Sequence, residues 1–240
     1  MIKKPKMILF DYGQTLIVEP QFDWTAANLA ILSHASHLPE GMSAEEFCEC
    51  SNKLFEHVMG NRRENCREIE HEKFLRLLCD IYGLKLDISI AEADLLYWDS
   101  ATHGSYASPG AAEFLDYLYE NGIRTGVISN MCYANMALRT RLNRYLPNNR
   151  FEFVLTSSDY VLRKPEKLLF DVAIRRAGLA PDEIWYIGDN PVADVVGSNS
   201  AGMHPVLYTG AHMRDYSNVP TLQFDTVDSF AKLKKLLEKA

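Results

Sequence analysis

Nowhere in the 240 residues does an apolar run approach the ~18 residues that a membrane helix requires, so a membrane partner is not expected. The opening text MIKKPKMILF starts basic, but its apolar part is four residues long and runs straight into Asp11. That is too short for the apolar region of a secretory leader and reads instead as a strand. Cysteines are few and odd in number: Cys48, Cys50, Cys66, Cys79 and Cys132. They fall in helix-like text rather than in a spaced framework, which points to free thiols and a cytoplasmic setting. Basic residues are the minority, 25 Lys and Arg against 32 Asp and Glu, for a formal net charge of −7. With no basic stripe to neutralise a phosphate backbone, nucleic acid is not expected as a partner. No Gly-x-Gly-x-x-Gly run follows a strand, and Gly197-Ser-Asn-Ser-Ala-Gly202 lacks the spacing of a serine-hydrolase elbow. His71-Glu72 begins a zinc-protease pattern, but Leu75 stands where its second His belongs. Repeats and low-complexity segments are also missing, and nothing in the text specifies an oligomeric state.

What is present is the ordinary globular balance, 47% apolar and 24% charged, written in two textures. The first consists of short, continuous apolar runs at 7–10 (MILF), 126–128 (GVI), 151–155 (FEFVL), 184–187 (IWYI) and 205–208 (PVLY). Continuous rather than alternating runs fit strands covered on both faces. Helical text lies between them. Residues 109–121 open on Pro-Gly, carry Phe114, Leu115 and Leu118 on one face, and stop at Gly122. Residues 165–177 repeat the device up to Gly178, and a last helix is predicted over about 226–239. Strand–helix–strand spacing of this kind gives a parallel, doubly wound sheet. The second texture, residues 18–104, contains no strand-like run and reads as four amphipathic helices at about 24–37, 43–59, 67–82 and 89–101. The predicted fold class is therefore α/β: a parallel-sheet core from residues 1–17 and 105–240, with a four-helix module at 18–104 inserted after the first strand.

Open α/β sheets bind ligands beyond the carboxyl ends of their strands. Asp11 follows MILF at once, Asp189 follows IWYI after Gly188, and Asp194 stands five residues further on. If the strands led by Ile8 and Trp185 are neighbours, these carboxylates meet in one crevice. Several carboxylates without a His or Cys companion favour a hard, oxygen-seeking ion, above all Mg²⁺. Ser129-Asn130 follows another strand and Lys164-Pro165 opens a helix. A hydroxyl, helix N-terminal amides, a lysine and a metal ion together make a phosphate site. Plainer roles compete: Asp-Tyr-Gly is good turn text, Asp189 and Asp194 suit a helix N-terminus, and Ser129 suits a cap. Arg62-Arg63 sits in a polar turn within reach of an anionic substrate, although such turns are commonly just solvated. Trp24, Tyr97 and Trp98 read as packing for the helical module.

In these residues the chain resembles the haloacid dehalogenase-like hydrolase superfamily, specifically its phosphatase-like subfamily with a helical cap inserted behind the first motif. The resemblance is carried by Asp11-Tyr-Gly-Gln-Thr-Leu16, Ser129-Asn130, Lys164-Pro165, and Gly188-Asp189-Asn190 with Asp194, four motifs in order at strand ends. It implies that Asp11 is the nucleophile that attacks phosphorus. Asp11, Asp189 and the backbone carbonyl of Gly13 would hold Mg²⁺, with Asp194 supporting the ion or its waters. Ser129, Asn130 and Lys164 would bind the phosphoryl group, Lys164 also offsetting the charge of Asp11. The expected reaction is Mg²⁺-dependent hydrolysis of a small phosphorylated metabolite in the cytoplasm.

One position departs from that pattern. The phosphatases of the family usually carry a second Asp in the first motif, which protonates the leaving group and later activates water; here it is Gly13. The backbone carbonyl survives the change, but the acid/base does not, and such help is worth about 10²–10⁴-fold in rate. Three explanations stand open at this level. A residue of the helical module or a water takes over; the leaving group needs no proton; or the reaction is not phosphomonoester hydrolysis. Two rival functions follow from the third. One is carbon–phosphorus bond hydrolysis through a lysine of the inserted module (Lys53, Lys73 or Lys85). The other is a regulatory protein that binds phosphate with weak chemistry.

Overall fold

The run Met7–Phe10 forms the central strand because each of its four side chains has an apolar partner on one face or the other, and none is exposed. The computed structural model describes residues 3–62, 64–214, 216 and 220–240. In chain order the strands are β1 (Met7–Phe10), β2 (Ile17–Val18), β3 (Tyr106–Ala107), β4 (Arg124–Ser129), β5 (Val154–Thr156), β6 (Ile184–Gly188), β7 (His204–Tyr208) and β8 (Asp225–Val227). The α-helices are α1 (Trp24–Ser33), α2 (Ala44–Met59), α3 (His71–Tyr82), α4 (Ile90–Ala101), α5 (Ala111–Glu120), α6 (Asn135–Tyr145), α7 (Ser157–Tyr160), α8 (Lys167–Ala177), α9 (Gly197–Ser200) and α10 (Phe230–Glu238). A π-helical turn, Pro191–Val196, follows β6.

Six strands pair in parallel in the order β5-β4-β1-β6-β7-β8. Alternate side chains of β1 point to opposite faces. Ile8 and Phe10 join Phe114, Leu118 and Phe230 from α5 and α10. Met7 and Leu9 join Leu169, Phe170 and Ala173 from α8. The fold is thus an α/β sandwich with helices on both faces of a parallel sheet. Strand order reverses at β1, with β4 on one side and β6 on the other, so the topological switch point lies directly above Asp11.

Helices α1–α4 lie between β2 and β3, which pair antiparallel where the chain leaves the sheet region and returns to it. Capping boxes open two of them: the Ser43 and Ser89 hydroxyls accept from the N–H of Glu46 and Glu92, whose carboxylates accept from the serine N–H in return. Polar contacts tie these helices to the sheet region. The His71 N–H donates to the Cys132 carbonyl at 2.8 Å, and the Ala134 N–H to Asp94 Oδ2 at 3.1 Å. The Ser157 hydroxyl donates to Glu68 Oε2 at 2.7 Å.

Several predicted boundaries shift for tertiary reasons. Residues 67–70 do not begin α3: Arg67 bridges to Leu162 in the manner of a strand, and Glu68 N–H donates to the Val161 carbonyl. Asp225–Val227 are not the start of the last helix. They add an edge strand beside β7, and α10 begins at Phe230 behind a Ser229 cap. Helix α6 is not predicted at all, because one of its four buried positions is Arg141, which breaks the apolar stripe. The two-residue strands β2 and β3 are too short to leave a periodic signal.

Candidate active site

Each of the central strands delivers one polar side chain to the same end of the sheet. Phe10 pairs with Val127 on one side and Ile187 on the other, so Asp11, Ser129 and Asp189 emerge side by side at the carboxyl edge. The Asp11 N–H continues the ladder by donating to the Ile187 carbonyl at 2.8 Å, which fixes the direction of its carboxylate. Asp194 arrives from the π-helical turn, where the Asn190 side chain caps the N–H groups of Val192 and Ala193. Carboxylate oxygens of Asp11, Asp189 and Asp194 lie within 4.8 Å of one another, and all three residues are buried.

Lys164 is the counterion. Its ammonium stands 2.9 Å from Asp11 Oδ1 and 2.7 Å from Asp194 Oδ1, and donates to the Ile128 carbonyl at 3.2 Å. It also donates to the Tyr186 hydroxyl at 2.8 Å. Burial by itself lowers a lysine pKa, but the two carboxylates outweigh it and raise that of Lys164, so it is cationic at neutral pH. Asn130 holds the lysine's backbone from both sides: its amide donates to the Lys164 carbonyl at 2.8 Å and its Oδ1 accepts the Lys164 N–H at 2.7 Å. The Asn130 side chain is therefore committed to positioning Lys164, whereas Ser129 lines the crevice directly.

The acids exceed the bases. Burial first, and then the charges of Asp194 and Asp11, push Asp189 up to about 7, against the opposing pull of Arg214, whose guanidinium forks onto its two oxygens. Asp194 is raised as well, chiefly by burial. A divalent cation would relieve this excess charge, and the all-oxygen donor set is the kind that hard ions take. Two oxygens on one Mg²⁺ sit at most about 4.2 Å apart at a metal–oxygen distance of about 2.1 Å. Adjacent oxygens on an octahedral ion sit about 3.0 Å apart, so the three carboxylates would draw together around one.

A family model described as haloacid dehalogenase-like hydrolase matches residues 42–208, well over half of the chain. The chain belongs to the haloacid dehalogenase-like hydrolases. Among curated relatives it is similar to a ribulose-1,5-bisphosphate 5-phosphatase of Halopiger xanaduensis, 25% identical over 217 residues covering 87% of this chain and 86% of the relative. It is also similar to a glyceraldehyde 3-phosphate phosphatase of Methanothermobacter thermautotrophicus, 29% identical over 237 residues, 97% of this chain and 99% of the relative. Among solved structures, a haloacid dehalogenase-family phosphatase from Thermococcus onnurineus shares the fold, with TM-score 0.64 and 23% identity across 96% and 97% of the two chains.

In this hydrolase the crevice above the carboxylates measures about 520 Å³ and is walled by both parts of the chain. The sheet contributes Asp11, Ser129, Lys164 and Asp194; the inserted helices and their flanks contribute Trp24, Phe55, Arg62 and Trp98. Arg62 lies 5.2 Å above the Phe55 ring and 3.6 Å from Glu68. Its neighbour in the predicted basic turn, Arg63, lies outside the described residues. Trp98 is both packing and wall: it stacks on Tyr133 at 4.6 Å and faces the crevice. Lys53 and Lys73 pair with Glu49 and Glu70 on exposed helix surfaces, Lys85 is exposed too, and none of the three lines the crevice.

Arg214 and Glu19, charged groups in the crevice, escaped sequence reasoning. Arg214 follows β7, and the rule that ligands lie past strand C-termini was the only signal available for it. Glu19 follows β2 in the apolar text LIVEP, where a lone acid was the hint. Its Oε1 accepts from Trp98 Nε1 at 3.0 Å and from Arg141 Nη2 at 3.2 Å. Burial pushes its carboxyl up to about 7; Arg141 and Trp98 oppose the shift, and the charge of Asp11 adds to it.

Proposed function

We propose that this hydrolase is a Mg²⁺-dependent phosphatase of small phosphorylated metabolites, working through an aspartyl-phosphate on Asp11 in the cytoplasm. The observation that carries the reading is Lys164, a fully buried cation bridging Asp11 and Asp194 at 2.9 and 2.7 Å on the floor of an open crevice. A carboxylate attacks a dianionic phosphate only if fixed positive charge surrounds both. Mg²⁺ held by Asp11, Asp189 and the Gly13 carbonyl, with Asp194 behind them, supplies that charge when bound. Lys164 holds the Asp11 carboxylate in place, and Asn130 holds Lys164. The Ser129 hydroxyl donates to a phosphoryl oxygen. Asp11 then displaces the leaving group, and water releases phosphate from the acyl phosphate so formed.

The inserted segment 18–104 acts in this reading as a cap that closes over the crevice, excludes bulk water and selects the substrate. Its aromatic wall and Arg62 suit an organic phosphate with a planar or anionic remainder. The exposure of Lys53, Lys73 and Lys85 removes support from carbon–phosphorus cleavage through a cap lysine, which needs its amine buried in the site. Beryllium fluoride with Mg²⁺ is expected to form an adduct on Asp11. Asp11→Asn is expected to lose at least about 10³-fold in turnover of aryl phosphates. Undiminished turnover in that variant would remove the role of Asp11.

A further inference from the structure

We propose that Glu19 is the proton donor and acceptor of the reaction, delivering a proton to the leaving group and taking one from the attacking water. The inference rests on the phosphatase reading above and adds a residue to it. Displacement by Asp11 leaves an alkoxide unless an acid stands beside it, and hydrolysis of the acyl phosphate is slow unless a base stands beside the water. Asp189 and Asp194 are placed as metal ligands, and Lys164 is held by four oxygens. Glu19 is the remaining carboxylate lining the crevice with Asp11 among the described residues.

Its geometry is that of an oriented catalyst rather than a structural acid. Trp98 and Arg141 both donate to Oε1 and the Tyr12 hydroxyl also hydrogen-bonds to the carboxylate, so side chains from three separate elements fix its orientation. Oε2 points at Gly13: a Cβ built there would lie 3.7 Å from it, with no other atom within 4 Å. Gly13 is two residues from Asp11 and has no side chain, so the glycine clears the space that the Glu19 carboxylate faces. The clamp comes from afar, Trp98 on α4 and Arg141 on α6, so the carboxylate is set only once the inserted helices sit against the sheet.

The steps balance without a further reactant. An Asp11 oxygen forms a bond to phosphorus while the phosphorus–oxygen bond to the leaving group breaks. The leaving oxygen keeps the electron pair and takes the proton from the Glu19 carboxylic acid, departing as an alcohol. The Glu19 carboxylate then takes a proton from water as the water oxygen bonds to phosphorus. The bond from phosphorus to Asp11 breaks, its electron pair returns to the Asp11 carboxylate, phosphate leaves, and Glu19 is again protonated.

The test is a series of phosphate esters, from 4-nitrophenyl phosphate to alkyl phosphates, turned over by the full chain with Mg²⁺. In the native protein log kcat/KM is expected to fall only shallowly as the leaving-group pKa rises. Glu19→Gln is expected to lose about 10²–10⁴-fold on alkyl esters. With 4-nitrophenyl phosphate the same variant should release one nitrophenolate per active site in a burst and then turn over slowly, because deacylation has lost its base. Glu19→Asp keeps the charge opposite Arg141 but withdraws the oxygen by one methylene, and is expected to steepen the series too; it decides the matter should Glu19→Gln fail to fold. A steep series in the native protein, an unaltered slope in the variants, or equal loss on every ester without a burst would overturn the role of Glu19. A native protein that turns over none of the esters would instead overturn the phosphatase reading, and the role of Glu19 with it.

Discussion

Asp194 occupies the place where a side chain on Gly188 would stand. A Cβ there would lie 2.3 Å from the Asp194 carboxyl carbon, so glycine is what lets this acid fold back over the end of β6. Once back, it accepts from Asn190 N–H at 2.8 Å through one oxygen and from Lys164 through the other. Gly188→Ala is expected to cost about 1–3 kcal/mol through this overpacking. It should also weaken Mg²⁺ affinity at least tenfold, because the displaced carboxylate leaves the cluster. Urea unfolding and calorimetric titration of Mg²⁺ would measure the two effects; a variant with native stability and native affinity would show that the contact has no such consequence. At this scale the placement of Asp11, Ser129 and Asp189 at strand ends was legible from the apolar runs before them, and Lys164 and Asp194 from the turns that follow. Glu19 was not: its partners Trp98 and Arg141 are 79 and 122 residues away, and only folding makes it an oriented group.

Helix α6 is the element whose design the sequence conceals. Arg141 is fully buried on it, donates to the Tyr12 hydroxyl at 2.9 Å and to the Ser105 hydroxyl at 3.0 Å, and pairs with Asp99 of α4 and with Glu19. Its guanidinium also lies 4.4 Å over the Trp98 ring. One side chain thus joins α6, the inserted α4 and the loop that carries Tyr12. Arg141→Met preserves volume but leaves Glu19 facing no cation, and is expected to destabilise the fold by about 3–5 kcal/mol, the range for breaking a buried pair. The urea midpoint measures it, and a change below about 1 kcal/mol would mean the pairing is not coupled to stability. The helix starts are conventional by comparison. Ser43→Ala and Ser89→Ala should each cost about 1 kcal/mol through loss of their caps, read in the same unfolding experiment. Those caps were readable in the text as Ser-x-x-Glu. The buried arginine was not, because a charge on a helical stripe reads as solvent-facing until its partners are known.

For the molecule as a whole, the buried acids set a pH dependence. Glu19 and Asp189 both titrate at about 7 in the folded state, against 4.5 and 3.8 as ordinary side chains. Between those limits the folded protein holds protons that the unfolded chain has shed, so its stability falls as pH rises from about 4.5 to 7. Surface acids whose pKa is lowered by partners, such as Glu46 and Glu152, act in the opposite sense but below about pH 4.5. Urea unfolding in chelator is therefore expected to give a higher midpoint at pH 5 than at pH 7.5, with Glu19 contributing up to about 3 kcal/mol of the difference. Glu19→Gln should shrink the difference, and Mg²⁺ should raise the midpoint at pH 7.5, where the acids it needs are ionised. A metal-free protein with equal midpoints at both pH values would contradict the account.

The order of apolar runs and helical text was enough to specify a parallel sheet with helices on both faces and four helices between the first strand and the rest, because strand and helix periods are local properties. Turn acids and glycines at strand ends likewise marked the candidate site, since an open sheet has only one carboxyl edge. The tertiary structure decided which distant charges meet there. Arg141, Arg214 and Glu19 acquire their roles from neighbours far along the chain, and the energy of a buried charge depends on those neighbours rather than on the residue itself. The same holds at the edges: residues 225–227 became a strand because β7 offered them a free ladder.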